Sequence, residues 1–122
     1  MTKLTSGWRL LAEIAFQSHE QRCCVDTISG EYFTLSEGVD TTPLFVGLEG
    51  DLCQCPHWGF VLRGRLTTTD AKGAQETVTT NDLFYWPPGH NVRVDADAEI
   101  VMFSPQHQHS EVIAHMIEKV SS

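Results

Sequence analysis

The sequence predicts an all-β fold, a sandwich or small barrel, finished by one C-terminal helix. Three observations carry this. From about residue 22 onward the chain is a series of short runs rich in Val, Phe, Tyr, Trp and Thr, types that suit a pleated, half-buried surface. Residues that tolerate turn dihedrals separate the runs. One apolar stripe at helical spacing ends the chain. The 122 residues suffice for a single hydrophobic core, so residues 1–122 are read as one domain.

Taken in order, the elements follow from local chemistry. Leu10, Leu11, Ile14 and Ala15 share one face at helical spacing, which predicts a weak helix after Gly7. Strands are expected at 22–26, 31–35, 44–47, 57–69, 76–79, 83–86, 91–94 and 100–103. Ile28-Ser29-Gly30 and Asn81-Asp82 read as turns between them. Asp70-Ala71-Lys72-Gly73, between two Thr-rich runs, reads as a hairpin. Ser110 is placed to cap a short helix, with Glu111 in its first turn. Val112, Ile113, Met116, Ile117 and Val120 then form the stripe. That stripe is expected to cover an open edge or face of the barrel.

Composition narrows the function classes. The net charge is −8, and the basic residues are scattered singly. Such a chain is unsuited to a phosphate backbone or an anionic membrane surface, so no nucleic acid and no membrane partner is expected. No stretch approaches the ~20 apolar residues that span a bilayer. Arg9 and Glu13 interrupt the apolar stretch from Trp8 to Phe16, so it does not read as an export signal. The four cysteines lie in two tight pairs, Cys23 with Cys24 and Cys53 with Cys55, rather than spread as a disulfide framework. A cytoplasmic location with reduced thiols is expected.

The informative stretch runs from Gly47 to Gly64. Within it Cys53, Cys55 and His57 alternate, so on a strand all three face one side. Thiolate and imidazole are the usual ligands of zinc and similar divalent metals. Neighbours in this series sit about 6.6 Å apart, near enough to share an ion, whereas Cys53 and His57 would be about 13 Å apart on a straight strand. Cys55 and His57 are therefore the safer pair, and Cys53 joins them if the chain bends at Pro56, which donates no ladder hydrogen bond. The second stretch, Asn81 to Val94, reads as strand, Pro87-Pro88-Gly89 turn, strand. It puts His90 at the mouth of the next strand, where it completes the site if the two segments are neighbours.

Together the two stretches resemble the cupin superfamily, in particular its small single-domain bacterial members. That family's first motif, Gly-x5-His-x-His-x3,4-Glu-x6-Gly, is matched by Gly47-x5-Cys53-x-Cys55-x-His57-x6-Gly64. Cysteines stand where the histidine pair would, and His57 stands where the glutamate would. The second motif, Gly-x5-Pro-x-Gly-x2-His-x3-Asn, is matched by Asn81-x5-Pro87-x-Gly89-x2-Val92-x3-Ala96. Its Pro-x-Gly core is kept, and His90 lies two residues before the position of the histidine. The resemblance covers residues 43–103. It implies a cupin-like jelly-roll barrel with a short C-terminal helix, and a homodimer. Cys53, Cys55, His57 and His90 are the candidate ligands of a divalent metal, zinc favoured, with iron, manganese or nickel as alternatives.

Each candidate also has an ordinary reading. Buried cysteines pack as small hydrophobes. On a strand Cys23 and Cys24 face opposite sides, one thiol in the core and one outside. His107 and His109 have ligand-like spacing but read as a polar loop, and His115 reads as solvated. Trp58, Phe60, Leu62 and Leu66 read as core or dimer interface. Arg63, Arg65 and Arg93 read as solvated or paired. Two function classes remain. One is a metal-binding barrel of unassigned small-molecule role. The other is a cupin-type metalloenzyme (an oxygenase, isomerase or lyase) acting on a small organic substrate, for which Asp51 and Tyr85 are the only nearby general-base candidates.

Overall fold

The computed structural model describes residues 19–23 and 26–121, with side chains from Ile28 onward. Among these residues six strands form one antiparallel sheet: β1 (His19–Cys23), β2 (Asp26–Leu35), β3 (His57–Asp70), β4 (Gln75–Thr79), β5 (Leu83–Trp86) and β6 (His90–Pro105). Helix α1 (Gln106–Ser121) follows directly. The order across the sheet is β1-β2-β6-β3-β4, and β5 pairs with the first residues of β3. The all-β architecture with a C-terminal helix is the one the sequence predicts. No described helix is long and apolar enough to cross a membrane.

Alternation builds the interior. Ser29, Glu31, Phe33 and Leu35 of β2 are buried, and so are His90, Val92, Val94, Ala98, Ile100, Met102 and Ser104 of β6. On β3 the inward set is His57 and Val61, but farther along it is Leu66. The two-residue period therefore slips by one. The pairing of β3 with β6 is irregular between Val61 and Leu66, and Gly64 sits inside that irregularity with φ of 100°. A Cβ at Gly64 would stand 2.4 Å from the Asp97 carbonyl oxygen, so only glycine fits there. Trp58 and Leu62 consequently lie exposed on the outer face while Leu66 is core, so they do not share one face as the simple alternation implies.

Other boundaries also differ. Cys23 pairs with Asp26, so the strand expected at 22–26 is the junction of two strands. Ile28, Ser29 and Gly30 form no turn. They pair with β1 on one side and β6 on the other, and ladders on both flanks outweigh local turn propensity. The strand expected at 44–47 is replaced by a 3-10 turn at Thr42–Leu44, with Pro43 in its first turn and the Asp40 carboxylate accepting the Thr42 N–H at 2.9 Å. The segments 91–94 and 100–103 belong to one strand of 16 residues. The hairpin at Asp70 is as expected: its carboxylate accepts the N–H groups of Lys72 and Ala74, each at 2.9 Å. The helix expected after Gly7 and the side chains of Cys23 and Cys24 lie outside the described residues.

Helix α1 begins at Gln106, a full turn before the expected cap at Ser110. Ser110 lies inside it, accepting a hydrogen bond from the Gln106 amide at 2.8 Å. Its buried face is His109, Val112, Ile113 and Met116, at i, i+3, i+4 and i+7. Burying that first turn stabilises it beyond what a local cap supplies. Ile117, expected in the stripe, is exposed.

Candidate metal centre

The site forms where the start of β3, the start of β6 and the loop before β3 meet. The chain bends at Cys55, one residue before the expected Pro56, and Cys53 is tied backbone to backbone to His90. The Cys53 N–H donates to the His90 carbonyl at 2.8 Å, and the Gly89 N–H donates to the Cys53 carbonyl at 2.8 Å. This brings the Cys53 thiol to 3.5 Å from Nε2 of His57. Ligand atoms of Cys53, His57 and His90 all lie within 4.8 Å of one another. Cys55 also reaches His57, but in a different set: its thiol, His57 and His109 again lie within 4.8 Å. So it is Cys53, the conditional member, that shares a set with His57 and His90.

His57 and His90 are each held at one end by a hydrogen bond, which orients the other. His90 donates through Nδ1 to the Pro87 carbonyl at 2.7 Å, leaving Nε2 as its lone-pair nitrogen. His57 Nδ1 bonds the Ser104 hydroxyl at 2.5 Å, leaving Nε2 toward Cys53. His109 Nε2 lies against the Glu31 carboxylate. That contact is not aligned as a hydrogen bond, so Glu31 Oε1 and both ring nitrogens of His109 are buried without hydrogen-bond partners among the described residues. The rings cluster edge to face, with centroids 5.2 Å apart for His57 and His90 and 5.5 Å for His57 and His109.

Burial sets the protonation states. It pushes the Cys53 thiol up to about 11, and it pushes Cys55 up to about 12 with help from the nearby Cys53 and Glu31 charges. Burial also holds His57 well below the usual imidazole range, reinforced by the neighbouring His90 and His109, and it lowers His90. His57 and His90 are thus neutral, each with a lone pair to donate. Both thiols are reduced, Cys53 donating weakly to the Cys55 carbonyl and Cys55 to the Pro56 carbonyl.

Two observations test whether a divalent cation suits these residues. Zinc holds sulfur at about 2.3 Å and nitrogen at about 2.0 Å, and at a tetrahedral angle this separates the two donors by about 3.5 Å. That is the spacing between Cys53 and His57. The second observation concerns the neighbouring His109, whose Nδ1 is buried without a hydrogen-bond partner among the described residues, as expected of a donor awaiting an ion. The residues fit. Beside them lies a cavity of about 70 Å³, lined mainly by apolar residues such as Phe33, Val94, Ile100 and Met116. It has room for a molecule of a few heavy atoms.

Two expected base candidates are not at this site. Tyr85 is on the outer face, stacked on Trp58 at 5.2 Å. Asp51 is exposed, its carboxylate accepting the Gly47 N–H. Alternation puts them elsewhere: Trp86, not Tyr85, is the inward residue of β5. The arginines are paired, Arg63 with Glu99 at 3.2 Å and Arg93 with Asp95 at 2.7 Å. Glu31 was missed by the sequence reading, and His109, read there as part of a polar loop, is instead buried in the first turn of α1. Each had a signal. Glu31 shares the parity of Phe33 and Leu35, and His109 lies three residues before Val112.

No protein-family model and no curated protein matches the sequence. Solved structures do match the fold. A cupin superfamily protein from Desulfitobacterium hafniense is similar with a TM-score of 0.51 at 10% identity, over 72% of this chain and 74% of that one. A protein from Neisseria meningitidis is similar with a TM-score of 0.50 at 12% identity, over 85% of this chain and 99% of that one. The EutQ protein of Clostridium difficile is similar at 14% identity with a TM-score of 0.49, and there the match spans only 65% of the EutQ chain. The fold is a cupin jelly roll.

Proposed function

We propose that this chain is a metal-binding cupin-fold protein that holds one divalent cation, zinc by preference, inside the barrel. Cys53, His57 and His90 supply the donors, with Cys55, which also reaches His57, as the remaining thiol. The observation that carries this reading is the 3.5 Å spacing of the Cys53 thiol and His57 Nε2 in a buried, pre-oriented cluster. Soft thiolate beside imidazole favours zinc, with iron next, over manganese. Reduced thiols suit a cytoplasmic location. Elemental analysis of protein purified without added metal or chelator is expected to give about one zinc per chain, and Cys53→Ser and His57→Ala are each expected to reduce it. Only trace metal in the wild-type protein would overturn the reading.

The apolar cavity supports a second reading, that of a metalloenzyme acting on a small organic substrate. A coordination position open toward the cavity would polarise a bound group or activate water there. Azide titrated into the cobalt-substituted protein separates the two. Visible bands that shift indicate an open position, and bands that stay indicate a closed, structural ion.

The outer face supports a homodimer. Tyr85, Trp58 and Phe103 are cross-strand neighbours, and so are Leu83, Phe60, Val101 and Tyr32 in the next row. These two rows expose aromatic and aliphatic side chains across four adjoining strands, Leu83 to 81%. A second copy of this chain is the occupant we infer for such a continuous apolar face.

A further inference from the structure

We propose that His109 is a metal ligand carried by helix α1, that Glu31 is its orienting carboxylate, and that with Cys55 and His57 they make a second metal position on the helix side of the cluster. A bound divalent cation there ties α1 to the sheet. This rests on the metal-binding reading above and extends it to residues outside both motif stretches.

Glu31 and His109 are two buried polar side chains that meet each other, while Nδ1 of His109 is left without a partner among the described residues. Glu31 and His109 are each 4% exposed. Burying a carboxylate and an imidazole this deeply is costly unless both are fully bonded. Here they touch each other without hydrogen-bond alignment, and Nδ1 of His109 has no hydrogen-bond partner at all among the described residues. A carboxylate on one ring nitrogen of a histidine, with the other nitrogen free, is the arrangement that holds an imidazole ready for an ion. The ion's other donors are close by, since ligand atoms of Cys55 and His57 lie within 4.8 Å of one ring nitrogen of His109 and of each other. Closing those distances to the ~3.5 Å of a tetrahedral ion takes only small side-chain movements.

Placement gives the consequence. Glu31 is on β2, Cys55 and His57 flank the start of β3, and His109 is in the first turn of α1. The ion would therefore join three segments distant in sequence. Val112, Ile113 and Met116, farther along the same helix face, line the apolar cavity. Holding His109 holds the wall of that cavity. His57 belongs to both donor sets, and a neutral imidazole gives one lone pair, so each chain takes one ion, either between Cys53 and His90 or beside His109.

The test uses metal-free full-length protein and zinc alone, read by binding stoichiometry and by amide hydrogen exchange over residues 106–121. Zinc is expected to bind at one per chain and to slow exchange of α1 in proportion to the share of ions held beside His109. His109→Ala should abolish that slowing while zinc still binds through Cys53, His57 and His90. His90→Ala should keep it. Glu31→Gln, close in shape and safe for the fold, should weaken the zinc-dependent slowing, with the zinc concentration needed rising about 10–100-fold. The inference is overturned if zinc binds without slowing α1, or if His109→Ala and Glu31→Gln slow it as fully as the wild type. A wild-type protein that binds no zinc overturns the metal reading itself, a result distinct from these.

Discussion

A thiol surrounded by apolar side chains keeps its proton, and Cys53 and Cys55 keep theirs up to about 11 and about 12. A metal must displace that proton to use the sulfur. Zinc uptake at pH 7 is therefore expected to release one proton for each thiol that becomes a ligand, and Cys53→Ser should remove its share when the Cys53 set is occupied. Calorimetry in two buffers of different ionisation heat reads this directly, and no proton release would mean that no thiol ligates. Gly64 works through backbone instead of charge. At φ of 100°, with the Asp97 carbonyl 2.4 Å from any Cβ, alanine is strained and collides. Gly64→Ala should lower unfolding stability by about 2 kcal/mol or more, seen as a lower urea midpoint. An unchanged midpoint would mean the bulge at Gly64 relaxes freely.

Among the elements, β3 and β6 form the spine, and their outer polar chemistry centres on Asp95. Its carboxylate accepts hydrogen bonds from the Thr67 hydroxyl and the Arg93 guanidinium, and Thr67 also meets the Thr77 hydroxyl of β4 at 2.9 Å. The Thr67 bond first, then Arg93, hold Asp95 below the usual carboxylate range. A carboxylate depressed in the folded state stabilises above its unfolded value near 3.8, and that stabilisation is lost as pH falls through the folded value. Asp95→Asn is therefore expected to cost more stability at pH 7 than at pH 2, measured by urea unfolding at both. An equal loss at both would assign the effect to packing. The helix teaches a related point about local signals. Ser110 looks like a cap, but the helix starts a turn earlier because His109 continues the buried face of Val112, Ile113 and Met116. Tertiary burial moved the boundary, and with it moved a histidine from loop to interior.

For the whole molecule the outer apolar rows and the net charge of −8 act against each other. In the proposed dimer two copies would attract through Trp58, Phe103 and Leu83 and repel through their charge. Dimerisation is therefore expected to strengthen as salt screens the repulsion. Trp58→Glu should weaken it by at least about 30-fold, the effect of losing a central aromatic anchor of about 2 kcal/mol. Sedimentation equilibrium across concentration and ionic strength measures both, and a wild-type chain that stays monomeric at high concentration and high salt would end the dimer reading.

Local sequence signals were enough for the all-β class, the Asp70 hairpin, the short β5 strand and the stretch around Cys53, Cys55 and His57. Those are local or strictly periodic signals, and each is carried by adjacent residues. The sequence by itself did not determine that 28–30 is strand, that β6 is one piece, or that β3 changes face at Gly64, because ladders on both flanks and one irregular register decide those. Only tertiary structure joined Cys53 to His90, by hydrogen bonds between segments 37 residues apart. Only it brought Glu31 of β2 and His109 of α1 to the same cluster. The physical reason is that ligand atoms must meet within a few ångströms. Spacing along the chain governs such meetings within one strand, whereas between strands register and burial govern them.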